Sequence, residues 1–401
     1  MEYIALSERV PVSGAYDVIV AGGGVAGAAA AVSARRAGKS VLLLEKGVCL
    51  GGLVTTGLIN YFEPMDDGRG RRLIGGMCAE FLALAIRHGY DTIPDEWKNS
   101  EPGARTGKRY VSRYSHSIFA LELTELLVRE GVVILFDTVV SRPVMEGGRC
   151  LGLVTDGKSG RQFYSARMVV DATGDADVLF RAGVPTVQGK NYFTYIGFAI
   201  DIERCRRVAA SGRIEDAIYH VHGGRSTLYG EHHPADMRYF EGTTNRDVSD
   251  YLILNQRALL AAIGDQDRFS RDIVALPGMA QLRTTRRLDG NRTLLPEESA
   301  RRFDDSVCAI GAFDDAALLY EVPYGCLVRT GYENLITCGR SASGAGHAWD
   351  VLRVIPPAIL TGQAAGLAAA QAIDERAPIY GIEVARLQSS LSEAGVRVHL
   401  D

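Results

Sequence analysis

Three observations predict an α/β fold built round a central parallel sheet. An apolar strand runs into a glycine-rich turn and an alanine-rich helix near the N-terminus. A second short apolar run follows that helix. Further buried-strand patterns, at 167–171 and 334–338, each break into small-residue turns. Tyr16-Asp17-Val18-Ile19-Val20-Ala21 has the unbroken apolar character of a strand buried on both faces. It enters Gly22-Gly23-Gly24-Val25-Ala26-Gly27, a G-x-G-x-x-G turn. Ala28–Ala37 then reads as a helix whose small side chains let it lie close to the sheet, with Gly38 where a left-handed cap is expected. Val41-Leu42-Leu43-Leu44 is the second strand and ends on Glu45.

Each residue type in this unit has a physical task. Gly22 permits the tight turn, Gly24 lets a pyrophosphate approach the backbone, and Gly27 allows close helix packing. Val25 and Ala26 open the helix, where free N–H groups and the positive dipole end favour phosphate. Glu45 is placed to accept both ribose hydroxyls of an ADP moiety, with Lys46 beside it. Strand, turn, helix and terminal acid together predict a Rossmann-like dinucleotide site.

The unit alone does not separate FAD from NAD; three later segments do. Gly51-Gly52, inside Cys49–Gly57, offers a second flexible turn that would carry the chain along a ribitol towards an isoalloxazine ring. Arg167–Asp171 breaks into Ala172-Thr173-Gly174-Asp175, and the alternation before it, around Asp156–Gly160, suggests a β-meander. Asn334–Cys338 ends on Gly339-Arg340, and a long Ala/Gly-rich helix follows from Pro356.

On these residues the chain resembles the bacterial FAD-dependent oxidoreductase family of the glutathione-reductase-like, two-dinucleotide-fold flavoprotein superfamily. The similarity runs from Tyr16 to about Ile373. Besides the segments above it is carried by Leu282–Arg287 with Gly290, and by Val322-Pro323-Tyr324, His347, Leu352-Arg353-Val354 and Gly362–Gly366. The resemblance implies a discontinuous FAD-binding domain from 14–60, 105–187 and 316–380. It also implies an inserted α+β substrate or cap region from 61–104 and 188–315, leaving 381–401 as a helical tail. It puts Val139 against adenine, and the helix beginning at Pro356 against the flavin.

Flavin chemistry needs a group to exchange a proton and positive character near the ring. His347, in a loop before the flavin helix, is the candidate for proton exchange. Arg283 and Arg353 are the candidates for orienting a polar substrate through their guanidinium forks. Arg286 and Arg287 read equally well as interdomain ion pairs. His116 precedes a helix that Ser115 or Ser117 would cap. The pairs His220/His222 and His232/His233 lack the acids or cysteines of a metal site, so no metal is expected. Seven cysteines stand singly, and after Cys49 none follows until Cys78, so neither a redox disulfide nor an iron–sulfur cluster is expected.

The formal net charge of −4 gives no general attraction to nucleic acid or anionic membranes. No secretory leader or apolar run of spanning length is recognised, and unpaired cysteines suit a reducing cytoplasm. The leading expectation is hydride transfer from a small polar metabolite (a hydroxy acid, amine or sugar derivative) to flavin, with a separate electron acceptor. The reverse reaction, reduction of an activated C=C bond, stays open, and so does a non-catalytic electron carrier. A cover of more than a hundred residues disfavours the carrier.

Overall fold

The computed structural model describes residues 4, 7–68, 70–95, 97 and 109–400. Parts of the 61–104 region and the start of the 105–187 segment lie outside the described residues.

The molecule is built on a seven-stranded sheet in which Val133–Leu135, Val41–Leu44, Val12–Ala21 and Gly160–Asp171 lie side by side in parallel. Leu335–Thr337 joins in parallel along the last residues of Gly160–Asp171. The early half of that long strand instead pairs antiparallel with Arg149–Gly157, which pairs with Thr138–Glu146. This is the predicted meander. The register sets Ala21 beside Leu44 and Asp171, and Asp171 beside Thr337. The carboxyl ends of four strands therefore open on one rim, where α/β sheets bind their ligands.

Two helices lie together over this sheet. Val25–Arg36 is buried from Val25 to Ala34, and Ile355–Glu375 packs along it. Their closeness is written in glycine. A Cβ on Gly362 would stand 2.2 Å from the Ala26 carbonyl oxygen, and one on Gly366 2.2 Å from that of Ala30. Only hydrogen fits there. The helix His116–Arg129 starts on Ser115, whose hydroxyl accepts the Ile118 N–H, so of the two serines Ser115 is the cap. Gly76–Arg87 is a helix inside the 61–104 region. It buries Met77, Phe81, Leu82 and Leu84, and Gln363 accepts the Met77 N–H at 2.9 Å. Packing supplies what its weak start signal does not.

Thr194–Asp201 is the centre of a three-stranded antiparallel sheet, between Tyr219–Arg225 and Arg271–Ala275, with the helix Asn245–Ile263 beside it. Gln281 ties this cover to the second glycine turn. Its amide donates to the carbonyls of Gly57 (2.7 Å) and Ile196 (3.0 Å), while its oxygen accepts the Ile196 N–H. The Gly278 N–H donates to Thr56 at 2.8 Å. After the helix Val384–Glu393 the chain runs beside Ser306–Gly311, where Ala309 donates to Arg397. Among the described residues no single helix is long and apolar enough to cross a membrane.

Candidate active site

The two glycine turns face each other on the sheet rim. Gly22 takes φ 106°, and a Cβ there would strike the Ala172 carbonyl 2.4 Å away, so the predicted Ala172–Asp175 turn lies against the loop. A Cβ on Gly27 would sit 1.9 Å from the Gly22 oxygen, which holds the helix start tightly over the strand end. Gly24 differs from both: a Cβ built there meets nothing within 4 Å. Its backbone faces open space at the N-terminus of Val25–Arg36, as a pyrophosphate site requires. The Gly51 N–H donates to Gly23 at 2.8 Å, and Gly51 pairs with Gly24.

Glu45 is oriented by backbone. Its two carboxylate oxygens accept the N–H groups of Gly23 (2.7 Å) and Gly47 (2.6 Å), leaving further lone pairs for ribose hydroxyls. Lys46 is exposed beyond it. Thr138 donates to the Glu45 carbonyl, which brings half-exposed Val139 to the same end of the site. Asp171, buried at the strand end, accepts the N–H and hydroxyl of Thr173 and the N–H of Leu179, and so shapes the third turn. The open Gly24 backbone, the anchored carboxylate and the facing double glycine fit FAD.

A cavity of about 600 Å³ lies between this rim and the cover. The glycine-turn side contributes Leu53, Val54 and Ile59, and the cover sheet contributes Thr194, Ile196 and His222. Val354 and Ile355, at the start of the long helix, complete the wall. Pro356 lies buried in the first turn. Because Pro356 and Pro357 carry no N–H and Ala358 donates to Val354, the first-turn donor left is Ile355. The positive end of the helix therefore acts here mainly as a dipole.

Four arginines line the cavity: Arg225, which is exposed, and Arg283, Arg340 and Arg353. Arg340, which follows Gly339, pairs with Asp175 at 2.9 Å and bonds the Leu282 carbonyl. Arg353 pairs with Asp350 at 2.8 Å, its side chain only 5% exposed. Arg283 has no carboxylate partner among the described residues, and its buried Nε lacks any hydrogen-bond acceptor. Burial, then the like charges of Arg353 and Arg340, pull its guanidinium down to about 10. It remains a cation at neutral pH. Of the four arginines, Arg340 and Arg353 are paired with carboxylates and Arg225 is exposed, so the buried unmatched charge is at Arg283. The buried Ser226 hydroxyl also lines the cavity and has no hydrogen-bond partner among the described residues.

His347 is placed differently from the expectation. It lies on the short helix Gly346–Leu352, not in a loop, and is not among the residues lining the cavity. Its Nε2 meets Asp314 at 3.0 Å, and the Tyr229 hydroxyl of the cover bonds the same carboxylate. Arg286 donates to the Asp175 carbonyl and pairs with Asp177 at 2.6 Å. Sequence reasoning missed Tyr61, Glu63, His222 and Arg225, all of which line the cavity. Glu63 is pushed up to about 7 by burial and by the charge of Asp314. Burial holds His222 below the ordinary imidazole value, with Arg225 adding to the effect. His220 bonds the Tyr61 hydroxyl and stacks on Phe198. Among the described residues no group of three His, Cys, Asp or Glu side chains could hold a metal.

Comparisons with known proteins place the chain. A digeranylgeranylglycerophospholipid reductase of Methanoculleus marisnigri is 28% identical over 176 residues, covering 43% of this chain and 42% of that protein. This chain thus matches less than half the length of that relative. Among solved structures, a geranylgeranyl bacteriochlorophyll reductase-like protein of Thermoplasma acidophilum matches with TM-score 0.46 and 15% identity, over 96% of this chain and 85% of that one. A myxobacterial chondrochloren halogenase matches with TM-score 0.44 and 15% identity, over 94% of this chain and 78% of the other. The model of the family described as FAD dependent oxidoreductase matches residues 17–197 and 266–391, well over half the chain. The protein therefore belongs to the FAD dependent oxidoreductase family and is an FAD enzyme.

Proposed function

We propose that the enzyme oxidises a small anionic metabolite, a hydroxy acid being the best fit, in the cavity between the sheet rim and the cover. The observation that carries this reading is Arg283, a buried guanidinium lining the cavity without an acid of its own. Leaving such a charge unmatched is costly, and a substrate carboxylate would meet it with charge-assisted hydrogen bonds. When bound, FAD supplies a two-electron acceptor for hydride. Arg283 would hold the substrate carboxylate, with Ser226 as a neighbouring donor, and Arg353, fixed by Asp350, would add positive potential. His347, fixed by Asp314, would brace the wall at Phe313 from outside the cavity.

The matched reductase acts, by its name, on a lipid carrying two prenyl chains. A cavity of about 600 Å³ is in the size range of a site for one small molecule. The facing glycine turns support placement in the glutathione-reductase-like, two-dinucleotide-fold superfamily. The divisions 14–60, 105–187 and 316–380 against 61–104 and 188–315 remain our proposed domains, with 381–401 as the tail. Seven free cysteines, five of them buried, support a reducing compartment such as the cytoplasm. The test is anaerobic mixing of FAD-loaded enzyme with lactate, malate and 2-hydroxyglutarate, and with glycerol as a neutral control. Bleaching of the flavin absorbance by at least one acid and not by glycerol is the expected result. Bleaching by glycerol alone overturns the reading.

A further inference from the structure

Outside the arginines, the cavity holds one carboxylate with no cationic partner among the described residues, Glu63. It follows the short strand Tyr61–Phe62, which is held in a two-stranded antiparallel ribbon with Ser112–Arg113. We propose that Glu63 is the catalytic residue that exchanges the proton with substrate, its carboxylate taking the hydroxyl proton of an anion held at Arg283. This rests on the reading of the cavity as a small-anion site.

The step balances without any further reactant. The substrate carbon–hydrogen bond breaks, and hydrogen leaves with both electrons as hydride to the two-electron acceptor. The O–H bond breaks towards a Glu63 oxygen, and the remaining electron pair forms the carbonyl. Substrate is oxidised by two electrons, the cofactor is reduced by two, and Glu63 returns its proton to solvent after product leaves.

Position comes first: Glu63 shares the cavity wall with Arg283, whereas His347 does not. Protonation is matched to the task, since a carboxyl held at about 7 is half ionised at neutral pH and can both take and return a proton. The other titratable and charged groups around it are Tyr61, His222, Arg225, Arg283, Arg340 and Arg353 in the same cavity, and Asp314 nearby. His222 is lowered, Tyr61 is raised, and Arg283 lies at about 10. A transition near neutrality therefore belongs to Glu63. His222 is shifted the wrong way to produce it.

The experiment uses FAD-loaded full-length enzyme and two readouts. The first is the affinity for oxalate, which has no C–H bond to oxidise, followed by its perturbation of the flavin spectrum. Ionised Glu63 repels the anion without excluding it, so wild-type affinity should fall as pH rises through neutrality and then level off at a lower value. In Glu63→Gln it should stay flat at the low-pH value. The second readout is the anaerobic bleaching rate with whichever hydroxy acid reduces wild type. That rate should rise through neutrality and level off, and in Glu63→Gln it should drop on the order of 10²–10⁴-fold and lose the inflexion. Glu63→Asp should restore part of the rate. Oxalate affinity that is flat in wild type, or bleaching by Glu63→Gln at the wild-type rate, overturns the role of Glu63 and leaves the anion site intact. No oxalate binding at any pH, together with no bleaching by any acid, overturns the anion reading itself.

Discussion

Replacing Gly24 by Ala separates cofactor binding from folding more cleanly than any other change in this molecule. Gly24 has φ −63° and ψ 173°, a conformation that alanine adopts without strain. A Cβ there meets no atom within 4 Å in the protein. The apoprotein should therefore keep its stability, the gain of about 0.4–1 kcal/mol from a less free unfolded chain offsetting the poorer N-cap that alanine makes. The same methyl group occupies the space over the helix N-terminus through which the FAD pyrophosphate must reach backbone N–H groups. Losing one hydrogen bond to a charged oxygen costs about 1.5–3 kcal/mol, and each 1.4 kcal/mol is roughly tenfold in affinity. FAD Kd should rise about ten- to hundredfold. Quenching of flavin fluorescence gives Kd, and thermal unfolding of the FAD-free protein gives stability. A Kd within about twofold of wild type would refute the path of the pyrophosphate over Gly24. A fall in apoprotein Tm would refute the open space above it.

Gly366→Ala should do the reverse. Its Cβ would lie 2.2 Å from the Ala30 carbonyl, so overpacking of about 1–3 kcal/mol exceeds the helical gain of about 1 kcal/mol, and the apoprotein Tm should fall. Glu63 should make stability depend on pH. Its carboxyl ionises near 4.5 when unfolded and at about 7 when folded, so between these the folded state carries the extra proton. Wild-type stability from this group is then present at low pH and lost as pH rises towards 7, by up to about 3 kcal/mol. Glu63→Gln should gain on wild type by that order between about pH 4 and about pH 8 in urea unfolding, and a constant difference would refute the buried carboxyl. Asp314→Asn removes the second cause of that shift, so the neutral inflexion in flavin bleaching should move to lower pH; an unmoved inflexion would show that burial alone sets it.

How much of this was legible in the sequence follows from which interactions are local. The strand Val12–Ala21, the glycine loop, the helix to Arg36 and the strand ending at Leu44 are contiguous, and their periodicity and glycines carry the fold directly. The meander could be read because its strands are joined by tight turns at Gly147 and Gly160. Gly76–Arg87 escaped because it begins on Gly75-Gly76 without a capping side chain and is held by distant Gln363. Arg283 and Arg353 were recognisable as residue types in matching segments, but the absence of an acid beside Arg283 emerges only when 175, 283, 340 and 353 are folded together. Glu63 looked like any surface acid, since its shift comes from burial under a cover more than a hundred residues away along the chain. For His347 the residue type and its place before the flavin helix were legible, but its pairing with Asp314, thirty-three residues away, was not.

The most direct test of a small-anion oxidase site at Arg283 is anaerobic flavin bleaching by the same hydroxy acids in wild type, Arg283→Lys and Arg283→Met, each loaded with FAD. Wild type should be bleached by at least one acid, Arg283→Lys should need more of that acid, and Arg283→Met should lose about 1.5–3 kcal/mol of its binding, roughly ten- to hundredfold in the concentration required. Unchanged bleaching by Arg283→Met, with FAD still bound, would contradict the account at its centre.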